Sequence, residues 1–136
     1  MKHTGFTLIE LIMVIAVIGL LASIMVPNMA SIHTKAKETV IKSIARSIQI
    51  SVETYNLCTG IYPVGSEIAI SELFLMLNDK NIDAKIPNNP FTGAPYTASD
   101  SSGKINYSYD ESQNSYYIQG FGKGNNELLI NISNTL

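Results

Sequence analysis

One carboxylate, Glu10, interrupts a run that is otherwise free of charge from residue 6 to residue 26. An apolar run of roughly 20 residues is what a helix needs to cross a bilayer. A carboxylate inside such a span costs a few kcal/mol or more unless it is paired. Glu10 therefore requires a partner, within the membrane or within an assembly. Little else in the chain has the makings of chemistry. His3 precedes the run, His33 follows it, and the single cysteine, Cys58, has no base near it in sequence. No nucleophile–base or metal-ligand spacing occurs, so no enzyme is expected. The stretch Gly120-Phe121-Gly122-Lys123-Gly124 lacks the spacing and the following Ser/Thr of a phosphate loop, and reads as a β-turn. With one cysteine an intramolecular disulfide is excluded. Cys58 reads as a small buried hydrophobe near a helix end. A net charge of −2 leaves no electrostatic footprint for nucleic acid, so the seven tyrosines read as strand packing.

The elements that must position Glu10 begin with a short basic leader, Met1-Lys2-His3-Thr4-Gly5. A secretory signal peptide would carry its small-residue cleavage site after the apolar stretch. Here the run leaves instead through Val26-Pro27-Asn28, and the natural cut lies before it, between Gly5 and Phe6. Beyond Pro27 the helical pattern continues. Ile41, Ile44, Ala45, Ile48, Val52 and Tyr55 recur at steps of three and four, with Glu38, Lys42, Arg46, Gln49 and Glu53 on another face. Gly60 followed by Pro63 gives the stop. Residues 6–57 thus read as one long helix of about 75–80 Å, weakened at Gly19 and kinked at Pro27.

After Pro63 the chain changes character. Ser71 is a candidate N-cap for a short helix through Asn78. Pro87-Asn88-Asn89-Pro90 and Thr92-Gly93-Ala94-Pro95 mark an irregular loop. Three strand-like segments follow, around Ile105 to Tyr109, Ser115 to Phe121 and Glu127 to Ile132. The expected fold is α+β: a long N-terminal helix packed on a small domain with a short helix and a C-terminal antiparallel sheet of about three strands. The expected organisation is a leader over 1–5, a membrane or filament-core half-helix over 6–26, an amphipathic half-helix over 27–58, and a globular domain over 59–136.

Gly5-Phe6-Thr7-Leu8-Ile9-Glu10-Leu11, followed by an apolar helix and Pro27, resembles the N-terminus of type IV pilins and of type II secretion pseudopilins. The resemblance implies a prepilin peptidase that cuts after Gly5 on the cytoplasmic side and N-methylates Phe6. It implies that the new Phe6 amine and Glu10 then serve assembly, Glu10 of one copy meeting the Phe6 amine of its neighbour. It also implies that the stretch from Gly19 to Pro27 can lose helicity in a filament. Asn89-Pro90-Phe91-Thr92-Gly93-Ala94-Pro95-Tyr96 looks like a variant of a segment of major pseudopilins, with Asn89 in place of an acidic residue, Phe91 in place of tryptophan and Thr92 inserted. Related pseudopilins bind calcium in a C-terminal loop. The carboxylates Asp100, Asp110, Glu111 and Glu127 are scattered without a ligand spacing, so no metal ligands are assigned and no cofactor is expected.

The expectation is therefore a structural subunit of a pilin-like filament, the pseudopilus of a type II secretion system. The implied partners are further copies of the chain, minor pilins or pseudopilins, the prepilin peptidase, an assembly ATPase and a polytopic platform protein. Before assembly the chain would wait in the cytoplasmic membrane as a single-pass protein with its N-terminus inside, and afterwards form a periplasmic or surface filament. Flanking charge alone does not favour that orientation, since Lys2 faces Lys35, Lys37 and Lys42 across the run; the resemblance requires it. The competing readings are a type IV pilus pilin for adhesion, motility or DNA uptake, and a membrane-tethered binding module or enzyme. A tether alone would need neither Glu10 nor a helix that continues past the bilayer.

Overall fold

The computed structural model describes residues 5–25, 29–80, 82, 84–124 and 126–135. It divides into two compact units, residues 1–34 and 35–136. In the first, helix α1 spans Leu8–Met25. Its residues 8–24 are exposed on every side, although nearly all are apolar. A helix that is apolar all round needs cover from a membrane or from other protein. Gly19 lies within α1, and a Cβ added there would meet nothing. Pro27 lies outside the described residues.

Helix α2 spans Met29–Thr59. Ile41, Ala45, Ile48, Val52 and Tyr55 form its buried stripe, at alternating steps of four and three. The helix runs slightly past the expected end. At Gly60 (φ 79°) the chain turns left-handed, and the Gly60 amide donates to the Asn56 carbonyl at 2.7 Å. Cys58 is exposed, against the expectation of burial. The four-three spacing explains this, because the next position on the stripe is Thr59 and Cys58 falls about 100° away from it.

Strand β1 (Ile68–Ala69) leads directly into α3 (Ile70–Asp79), and β2 (Ile105–Asp110), β3 (Ser115–Phe121) and β4 (Leu128–Ser133) complete the sheet. The sheet has four strands in the order β1-β2-β3-β4, all antiparallel. The sequence indicated three. A two-residue strand cannot display an alternation, and only its pairing with Asn106 and Tyr107 makes it visible. Ser71 is not the cap of α3. The cap position is Ala69, two residues earlier, with no side-chain cap, because Ile70, Leu73, Phe74 and Leu77 form the buried face. The sheet then packs Ile105, Tyr107, Tyr116 and Ile118 against the α2 stripe in one core. Gly120 permits this closeness: a Cβ there would lie 2.9 Å from both Ile41 Cγ2 and Ile130 Cγ2.

Tyrosines do pack the sheet, and three of the buried ones use their hydroxyls to bind other segments. Tyr107 donates to the Pro63 carbonyl at 2.9 Å and Tyr96 to the Gly103 carbonyl at 2.9 Å. Tyr116 donates to Glu53 Oε1 at 2.6 Å, tying the sheet to α2. Burial pushes the phenols of Tyr96, Tyr107 and Tyr116 well above the ordinary value. Because folding raises these values, their contribution is complete below the unfolded pKa of about 10 and is lost as pH rises towards the folded one. Stability should therefore hold below pH ~10 and fall steeply above it. Alkaline titration followed by circular dichroism, alongside tyrosinate absorbance, checks this. Tyrosinate forming without loss of structure would contradict the assignment of these phenols to the core.

Candidate functional site

The N-terminus of α1 is organised by Thr7 and Glu10. The Thr7 amide donates to Glu10 Oε2 at 2.9 Å, and the Thr7 hydroxyl donates to the same oxygen at 2.8 Å. In return the Glu10 amide donates to Thr7 Oγ1 at 3.4 Å and to the Thr7 carbonyl at 3.1 Å. Ser/Thr at the N-cap with Glu three residues later is a capping box, which satisfies two of the amides a helix start leaves open. Leu8 can therefore open the helix, and the Glu10 carboxylate is held back against its first turn. The helix dipole favours a negative charge at this end.

Sequence reasoning singled out Glu10 and passed over Thr7. The signal was present: Thr-x-x-Glu immediately before an apolar run is the pattern of a helix start. Both local bonds use Oε2. Among the described residues Oε1 accepts none, so the carboxylate is positioned while one oxygen remains available to a second donor. Gly5 and Phe6 precede the helix and are exposed, Phe6 at 77%. The leader before Gly5 lies outside the described residues. The site thus consists of an exposed aromatic residue, a capping threonine and a fixed carboxylate at the head of an apolar helix. Such an arrangement can hold a cation beside apolar surface.

The scattered carboxylates do not converge. Asp100 accepts from the Thr97 amide and hydroxyl. Asp110 holds the β2–β3 turn, accepting from the Ser112 amide at 2.9 Å and hydroxyl at 2.6 Å, and the hydroxyl bond leads in lowering its pKa. Glu127 lies beside Gly122, whose amide donates to its carbonyl. Among the described residues no three His, Cys, Asp or Glu are grouped to hold a metal ion. The glycines at 120–124 lie in the end of β3 and the turn after it.

Among the described residues no single helix is long and apolar enough to cross a membrane; α1 and α2 taken together pass that test by length and composition. Residues 1–26 match the prokaryotic N-terminal methylation motif. The type II secretion system core protein G of Pseudomonas aeruginosa is 37% identical over 62 residues, covering 46% of this chain and 44% of that protein. Its counterpart in Vibrio cholerae is 34% identical over 62 residues, covering 46% and 42%. The type IV wide pilus major component PilA4 of Thermus thermophilus is 32% identical over 82 residues, covering 60% and 62%. The matched stretch thus spans less than half the length of these core proteins G. No solved structure matches the chain.

Proposed function

We propose that this chain, which carries the prepilin-type methylation motif and is similar to type II secretion core protein G, is a structural subunit of a pilin-like filament. Within that reading it is the major subunit of a type II secretion pseudopilus, and it is not an enzyme. The observation that carries the proposal is the positioned Glu10 carboxylate on a helix whose other exposed side chains are almost all apolar. A prepilin peptidase cuts after Gly5 and methylates Phe6. The new terminal ammonium then lies about one helical turn from Glu10 in the same copy, and within reach of Glu10 Oε1 in a neighbouring copy. Pairing of ammonium and carboxylate sets the register of the stack, and the apolar surface of α1 supplies the adhesion. Before assembly the same surface is covered by the cytoplasmic membrane. An ATPase and a polytopic platform protein drive extraction into the filament.

The single cysteine, which excludes an intramolecular disulfide, and the small size favour the secretion subclass, whereas the similarity to PilA4 keeps a pilus subunit as the second reading. Two arms of one experiment separate the possibilities. Mass spectrometry of sheared filaments should find the chain beginning at Phe6. Deleting the gene should trap exoproteins in the periplasm. An intact leader in filaments would overturn the family reading. Normal secretion with loss of long surface pili would move the chain to the pilus subclass.

A further inference from the structure

The unit formed by residues 35–136 is charged asymmetrically along the axis of α2. At the N-terminal end of its α2 segment lie Lys35, Lys37 and Lys42. The Lys37 ammonium stands 5.4 Å from the Phe91 ring centroid. The Gly103 amide donates to the Gly122 carbonyl, and Gly103 and Gly120 both back onto Ile41, which brings Lys104 and Lys123 to the same end. Five lysines there oppose three carboxylates, Glu38, Asp100 and Glu127. The other end has the opposite sign. The Tyr109 amide donates to the Gly65 carbonyl at 2.7 Å, and the Tyr62 and Tyr109 rings lie 6.1 Å apart. The β2–β3 turn, with Asp110 and Glu111, is thereby set beside Glu67, and no lysine or arginine occurs in these segments.

This acidic end also carries apolar surface. Leu57 is 85% exposed, Val64 65% and Ile61 58%, and Cys58 is exposed among them. Apolar surface rimmed by charge marks a contact site. The complementary surface is present on the same chain, at its lysine-bearing end. We infer that the patch of Leu57, Ile61 and Val64, rimmed by Glu67 and Glu111, docks on the Lys42 and Lys123 end of a second copy. The inference rests on the filament reading and adds a contact between globular units to it. Two different surfaces meet in such a contact, so it is heterologous, and a heterologous contact that does not close into a ring extends without limit. Complementary charge fixes which ends meet, because like charges brought together repel.

The test is a charge swap read in sheared-filament yield at matched membrane levels. All four side chains are exposed, so the fold should tolerate the changes. Glu67→Lys with Glu111→Lys should lower the yield at least about tenfold, as should Lys42→Glu with Lys123→Glu. All four changes together should restore it. Wild-type yield from either pair, or failure of the fourfold variant to recover, would overturn the contact. So would loss of yield from the basic-end variant alone while the acidic-end variant assembles normally, since that end would then serve another surface, such as an anionic lipid face. Cys58 gives a second measurement on the unaltered chain. Its thiol should react with a maleimide in the membrane form and be protected in filaments, and equal labelling in both would refute the docking. If the unaltered chain forms no filaments at all, the filament reading itself falls, and this contact with it.

Discussion

Glu10→Ala should leave the amount of chain in the membrane and its cleavage at Gly5 unchanged, while filament yield falls below about a tenth of wild type. Removing a carboxylate from an apolar run favours insertion of the single subunit. In the stack it leaves the neighbour's terminal ammonium without its partner, and an uncompensated buried charge is the costly outcome. Each subunit repeats the loss along the filament. Shearing and immunoblotting at matched membrane levels measure it. Alanine also removes the capping box, so Glu10→Gln is the informative companion. Glutamine at this position still accepts from Thr7 and keeps the helix start. If the charge is what assembly requires, the glutamine variant fails as the alanine variant does. Normal filaments from the glutamine variant would assign Glu10 to helix capping alone and remove the ion pair from the mechanism.

Asn89→Asp should destabilise the globular unit by roughly 2–4 kcal/mol at neutral pH. Asn89 is completely buried, and both ends of its amide are used. Nδ2 donates to the Ser102 carbonyl at 2.8 Å, and Oδ1 accepts from the Phe91 amide at 2.9 Å. Its backbone closes the same loop, accepting from Gly93 and donating to the Ala94 carbonyl. An aspartate keeps the shape and loses the donor, so a carboxylate oxygen would face the Ser102 carbonyl with neither able to donate. For a domain of about 100 residues the expected drop in Tm is roughly 10–25 °C. Burial raises the pKa of such a carboxyl above its unfolded value of about 3.9. The protonated form can donate to Ser102, so the deficit should shrink as pH falls through the raised pKa and should be full above it. Thermal unfolding of wild type and variant, followed by circular dichroism at pH 4 and pH 7, checks both size and sign. An equal Tm at pH 7 would show that the Asn89 donor does not hold the loop.

The same residue shows what the sequence could not reveal. Asn89 was legible as a departure from an acidic position in a resembling segment, but its reason was not. The donor it supplies points at Ser102, and only the folded loop brings the two together. Strand β1 was invisible for a related reason: two residues have no periodicity, and their strand identity resides in the partner. Cys58 lies near a helix end, but the phase of the stripe, and not that proximity, decides which side chain meets the sheet.

What the sequence determined by itself were the features written in local patterns. A carboxylate within an apolar run, a glycine before it, a four-three stripe ending at a glycine and three alternating segments each depend on residues a few positions apart. Thr7 belongs with them, since the capping box spans only residues 7 to 10. The tertiary structure decided whatever depends on distant residues meeting. It placed Tyr116 on Glu53, fitted Gly120 against Ile41, kept the four carboxylates apart and gathered charges of opposite sign at opposite ends of one unit. Local patterns are imposed by backbone geometry, which every residue carries with it. Contacts between distant residues exist only once the chain has closed its loops, and their energies are properties of the closed arrangement.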